Sequence, residues 1–195
     1  MPPVYVLIGG LSSRFGRDKA THPVEGDPWA VHVGRRLAGD GRFTLVGESR
    51  GAHLPTDIPR IEDSPLSAGP LAGMLAAIED RRKRLGEGPL VVASCDLVRP
   101  RQEWLTPLLK AHEDDDSLEI AAYQAQGRWQ PFPSVLHTRW EIDLRNRLRG
   151  EDKSCQSAYS VASSAGIEWS GPGLSPPQAN TIEALTELLS TDATS

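Results

Sequence analysis

Two hydrophobic patterns alternate along this chain. Short continuous apolar runs at Val4-Tyr5-Val6-Leu7-Ile8, Phe43-Thr44-Leu45-Val46 and Pro89-Leu90-Val91-Val92-Ala93-Ser94 have the length of strands. The last is continuous enough to be buried on both faces of a parallel sheet. Between these runs the apolar positions take a helical period. From Asp27-Pro28, read as cap and first helical position, Trp29, Val33, Arg36 and Leu37 share an inner face. Between Gly69 and Gly86 the residues Leu71, Met74, Leu75, Ile78 and Leu85 make one stripe, with Gly86 suited to end it. Trp104, Leu105, Leu108 and Leu109 mark another helix, and residues 118–123 and 132–137 two more strands. This alternation predicts an α/β domain with a mostly parallel sheet and right-handed crossovers. Ligands of such sheets bind beyond the carboxyl ends of the strands. The segments from Gly9 to Lys19 and at Cys95-Asp96 fall at two such ends.

The first of these segments, Gly9-Gly10-Leu11-Ser12-Ser13-Arg14-Phe15-Gly16-Arg17-Asp18-Lys19, is suited to an anion. Glycine permits a tight turn and a close backbone approach, so N–H groups can face phosphate oxygens. Arg14 supplies a charged fork and Lys19 a point charge. The spacing is not that of a P-loop, since Phe15 stands five residues after Gly10 and Gly16 is followed by Arg17. Nor is it the dinucleotide fingerprint, because Leu11 and Arg14 occupy glycine positions.

At 195 residues the chain has the size of one domain with a core and a cleft, read as residues 1–189 with a tail at 190–195. A net charge of −5 argues against a general binder of nucleic acid or anionic membranes. No apolar run approaches the ~20 residues of a membrane span, and the N-terminal residues lack a signal-peptide pattern. Cys95 and Cys155 are widely separated, which fits free thiols in a reducing cytoplasm.

The order of these residues resembles the signature of the MobA-like nucleotidyltransferases, the family of the molybdenum cofactor guanylyltransferases. That family opens with a strand and L-A-G-G-x-S-x-R-M-G-x-D-K-A. Here Leu7-Ile8-Gly9-Gly10, Ser12, Arg14-Phe15-Gly16 and Asp18-Lys19-Ala20 stand in register, with Ile8 in place of Ala and Phe15 in place of Met. Ile8 adds volume near where the family seats its base. Glu62-Asp63 followed by Gly69-Pro70-Leu71-Ala72-Gly73 is similar to the family's D-x-x-x-x-x-G-P-L-A-G segment. Cys95-Asp96 is similar to C-D-x-P, although proline arrives only at Pro100. Trp129-Gln130-Pro131 resembles an H/Q-P segment, and Asn180-Thr181-Ile182-Glu183 an N-T-P-E close.

The resemblance runs from Val4 to about Leu188. It implies a Rossmann-like three-layer sandwich akin to the nucleotide-diphospho-sugar transferases. It also implies transfer of GMP from GTP to the phosphate of Mo-molybdopterin, with release of pyrophosphate. Arg14, Lys19 and Asp96 would be catalytic, with Mg²⁺ on Asp96. The nucleotide would meet Leu7, Gly9, Gly10, Ser12, Lys19, Asp63, Gly69, Leu71, Gly73 and Asp96. Gln130 and Asn180 would face the second substrate. Family context implies a cytoplasmic protein in contact with a GTP-binding accessory protein and with molybdoenzymes.

Each motif also has a plainer reading. Asp96 could cap a turn, Gly69-Pro70 could only start a helix, and Gln130 could belong to a loop entering a strand. Asn180 with Glu183 three residues on is a capping box in its own right. Gly9 leaves room that the cytidylyl-transferring relatives, with L-A-A-G, fill with a Cβ; this favours guanine. The alternatives are a cytidylyl or sugar-phosphate nucleotidyltransferase on the same fold, or a non-catalytic nucleotide-binding relative. Intact Lys19 and Asp96 speak against the last. The five histidines lack metal-ligand spacing, residues 113–116 read as a solvated acidic loop, and residues 81–84 as the exposed basic end of a helix.

Overall fold

The computed structural model describes residues 1–9, 15, 18–49, 54–66 and 69–191. Its centre is a seven-stranded sheet. In chain order the strands are β1 (Val4–Leu7), β4 (Phe43–Val46), β5 (Arg60–Ile61), β6 (Pro89–Ser94), β7 (Ile120–Ala125), β8 (Arg128–His137) and β9 (Ser164–Glu168). They lie side by side in the order β5-β4-β1-β6-β8-β7-β9, and β8 alone runs antiparallel to its neighbours. A small hairpin of β2 (Pro23–Val24) and β3 (Asp27–Pro28) precedes the first helix.

β1 is buried throughout and pairs in parallel with β4 on one side and β6 on the other. The chain leaves β1 in one direction through α1 (Trp29–Ala38) and returns across it through α2 (Pro70–Leu85) to reach β6. Right-handed crossovers running in opposite directions place α1 and α2 on opposite faces of the sheet. α2 then packs beside α4 (Glu141–Arg149), and α1 beside the 3-10 turn leading into α3 (Thr106–Asp114). α5 (Cys155–Val161) lies against β8, and α6 (Ile182–Thr191) closes the described chain. The reversal of direction between β1 and β6 opens a crevice at their carboxyl ends, where ligands of doubly wound sheets bind.

The strands and helices predicted from periodicity are present, with informative differences. Asp27 does not cap α1. It sits in β3, and its carboxylate takes the Arg35 guanidinium at 2.5 and 2.7 Å. Arg36 is exposed rather than on the inner face; its Nε donates to the Pro100 carbonyl. Leu85, expected in the α2 stripe, is 60% exposed because it falls in the last turn. Arg81, expected on a solvated face, is instead buried, its guanidinium donating to the Pro89 and Gly86 carbonyls. That places a charged fork on backbone carbonyls just past the end of the helix, where the dipole favours it. α6 runs on to Thr191, into the segment read as a tail, and 192–195 lie outside the described residues.

Candidate functional site

The ends of β1 and β6 are tied together by backbone. Cys95 N–H donates to the Leu7 carbonyl at 3.1 Å, and Ile8 N–H to Val46 at 2.9 Å. The loops following the two strands therefore start side by side. Asp96 sits in the turn after β6, and Lys19 reaches it from the segment after β1. The Lys19 ammonium lies 3.5 Å from Asp96 Oδ2 and donates to Asn180 Oδ1 at 2.8 Å. Both charged side chains are largely covered, 13% and 17% exposed.

Asn180 is delivered by a strap that pairs with the Asp96 turn. Ala179 N–H donates to the Asp96 carbonyl at 3.0 Å, and Val98 N–H donates to Pro177 at 2.9 Å, bracketing an antiparallel bridge between Leu97 and Gln178. Three distant stretches of sequence thus converge on one point. Asp96 Oδ1 is buried and has no hydrogen-bond partner among the described residues. A buried carboxylate oxygen without a donor is costly unless something positive meets it. No group of three or more His, Cys, Asp or Glu gathers among the described residues. A cation here would complete its shell with ligand oxygens and water, the habit of Mg²⁺ at phosphate sites, so this donor fits that ion.

Asp63, after β5, forms the second half of the site. Its carboxylate lies in a notch between three glycines. A Cβ on Gly9 would meet Asp63 Oδ2 at 2.7 Å, one on Gly47 would meet it at 3.0 Å, and one on Gly73 would meet Oδ1 at 3.1 Å. Gly47 also needs its positive φ of 103° to turn the chain after β4. Asp63 stays exposed on its open side, but the glycine walls strip part of its hydration and push the carboxyl above its ordinary value, with the Glu48 charge adding to the effect. Gly73 on α2 has Leu7 as its other neighbour, at 3.0 Å from such a Cβ, so the first turn of α2 is pressed onto the end of β1.

Residues 4–164 match the family model of the MobA-like NTP transferase domain. The chain belongs to this family. It is 36% identical over 135 residues to a molybdenum cofactor guanylyltransferase of Cupriavidus metallidurans, covering 66% of this chain and 64% of that one. It is 31% identical over 177 residues to one of Burkholderia cenocepacia, covering 84% of each. The fold is that of the molybdopterin-guanine dinucleotide biosynthesis protein A of Archaeoglobus fulgidus, with a TM-score of 0.77 at 17% identity over 99% of this chain and 100% of that one.

Of the residues predicted from the MobA-like signature, Lys19 contacts both Asp96 and Asn180, and Leu7, Gly9, Asp63 and Gly73 pack together. Leu7 and Leu71 are buried in the core, so their side chains serve packing. Gly69 is exposed and precedes α2 with φ 96°, and Pro70 takes the first helical position as expected. Gln130 is half-buried on β8, opposite Tyr123; its amide donates to the Arg128 carbonyl at 3.5 Å rather than to a member of the Lys19 cluster. Gly10, Ser12 and Arg14 lie outside the described residues.

Three expectations need correction. The space beside Gly9 is not empty room for a purine, since the Asp63 carboxylate fills it. Ile8 is buried in the core, which absorbs its extra volume. Asn180 does not cap α6. Thr181 does, its Oγ1 accepting from Ala184 N–H at 3.2 Å, which frees the Asn180 amide for Lys19.

Sequence reasoning missed Asp18, whose carboxylate accepts from Ala20 N–H at 3.0 Å and from the Ser49 hydroxyl at 2.6 Å. It braces the loop to the end of β4, and only the D-K-A motif hinted at it. Cys95 adjoins the site, but burial and the Asp96 charge push its thiol far up, so it is no nucleophile.

Proposed function

We propose that this chain is a guanylyltransferase that joins GMP from GTP to the terminal phosphate of Mo-molybdopterin, releasing pyrophosphate. The observation that carries the reading is the meeting of Lys19, Asp96 and Asn180 at the carboxyl ends of β1 and β6. Family membership and the names of the related chains support guanine as the base and molybdopterin as the acceptor.

In this reading a molybdopterin phosphate oxygen attacks the α-phosphorus of GTP. A P–O bond forms there as the bond to pyrophosphate breaks. The chemistry needs alignment and neutral surroundings for charge rather than a protein nucleophile. Lys19 has three N–H donors; Asn180 takes one, Asp96 orients the ammonium, and the remainder faces phosphate oxygens. Arg14, Gly10 and Ser12, which the signature adds to this set, would supply further charge and donors. Asp96 Oδ1 would hold Mg²⁺, which when bound supplies charge neutralisation and orientation of phosphate oxygens. The carboxylate of Asp63, walled by Gly9, Gly47 and Gly73, is an acceptor suited to the N–H edge of guanine.

Calorimetric titration with GTP, CTP, ATP and UTP, with and without Mg²⁺, tests this. Selective GTP binding strengthened by Mg²⁺ is expected. Preference for CTP would move the assignment to cytidylyl transfer, and absence of binding would overturn it.

A further inference from the structure

Trp29 is the first residue of α1, fully buried, and it touches both loops of the site. Its indole Nε1–H donates to the Leu97 carbonyl at 2.8 Å, one residue beyond Asp96. The same ring packs against Phe15, with centroids 5.7 Å apart. Phe15, between β1 and Lys19 in the sequence, is buried, and its ring centroid lies 6.0 Å from the Lys19 ammonium. The backbone of α1 completes the contact. Trp29 N–H donates to His22 at 2.8 Å, and Ala30 N–H to Ala20 at 3.1 Å.

The Leu97 carbonyl has a particular need of this donor. The strap at 177–179 bonds on either side of Leu97, Ala179 N–H donating to the Asp96 carbonyl and the Pro177 carbonyl accepting from Val98 N–H. It leaves the Leu97 carbonyl, on a fully buried residue, facing away from the strap. A carbonyl buried without a donor would loosen the turn that aims Asp96. The indole supplies the donor, and the Phe15 contact ties that turn to the Lys19 loop.

We infer that Trp29 is a positioning residue for the transfer reaction, setting the separation of Lys19 from Asp96 through Phe15 and Leu97. The inference rests on reading Lys19 and Asp96 as the charged pair of the nucleotidyl-transfer site. Trp29→Phe removes the donor and keeps an aromatic ring in the core. Val33→Ala, one turn along the same buried face, serves as a control that weakens α1 and keeps both the indole donor and the Phe15 ring contact.

Two measurements test it. The first is amide hydrogen exchange of the ligand-free protein, read on peptides spanning 18–22 and 95–101. Both segments exchange at least tenfold faster in Trp29→Phe and remain near wild type in Val33→Ala. Unchanged protection in Trp29→Phe overturns the inference whatever the nucleotide turns out to be. The second is steady-state turnover. Trp29→Phe raises KM for GTP and lowers kcat, each about tenfold, while Val33→Ala lowers only the melting temperature. Loosened loops with wild-type kcat and KM would overturn the positioning role, and a wild-type protein without turnover would instead count against the proposed function.

Discussion

Lys19 and Asn180 stand 161 residues apart in the chain and share a 2.8 Å hydrogen bond, the ammonium donating to the amide oxygen. The bond exists because the neighbouring Thr181 takes over the capping of α6. Two adjacent residues thus divide two tasks, one for stability and one for the site. Asn180→Ala should lower kcat/KM about 10- to 100-fold, the worth of a hydrogen bond to a charged group, with little change in melting temperature. Thr181→Ala should cost about 1 kcal/mol of stability in denaturant unfolding and leave KM for GTP near wild type. The reverse pattern would return the cap to Asn180.

Asp63 trades stability for recognition. Its carboxyl is raised, so the folded protein holds the proton more tightly than the unfolded chain does. Ionised Asp63 therefore costs stability, and that cost is absent below the ordinary value of 3.8 and grows as pH rises through the raised folded value. Asp63→Asn should melt higher than wild type at neutral pH, with the difference vanishing in acid, while GTP binding weakens. Equal melting temperatures at neutral pH would show that the notch does not strain the carboxylate.

The contact between Gly9 and Asp63 predicts coupling. Gly9→Ala puts a Cβ within 2.7 Å of Asp63 Oδ2, so the carboxylate must swing out of its notch. GTP affinity should fall about tenfold. In an Asp63→Ala background the same change at Gly9 should cost little, giving a coupling energy on the order of 1 kcal/mol in a double-mutant cycle. Additive losses would separate the two residues.

The sheet was legible because β1 and β6 are continuous apolar runs and α2 carries a clean stripe between two glycines. The candidate site is legible as motifs: Lys19, Asp63, Asp96 and Asn180 are singled out by their surroundings in the sequence. Their mutual geometry is not. Nothing in the local pattern distinguishes Asn180 from Thr181 as the cap, since helix starts shift by a residue at no cost to periodicity. Nor does a glycine in a loop announce that its missing Cβ makes room for Asp63. Residues 141–168 gave little signal for a physical reason. In α4 only Leu144 and Leu148 are buried, and β9 is a half-exposed edge strand, Ser-Ala-Gly-Ile-Glu, with a single large apolar residue. Arg81 was misread because a basic run at a helix end looks solvated until the next strand turns its carbonyls toward it.

The central claim is tested most directly by following dinucleotide and pyrophosphate formation from GTP and Mo-molybdopterin in Mg²⁺, for wild type and Asp96→Asn side by side. The account predicts matched yields of guanine dinucleotide and pyrophosphate from wild type. It predicts a loss of about 100-fold or more in Asp96→Asn, with the melting temperature nearly unchanged. Turnover of folded Asp96→Asn at the wild-type rate, or no dinucleotide from wild type, would contradict it.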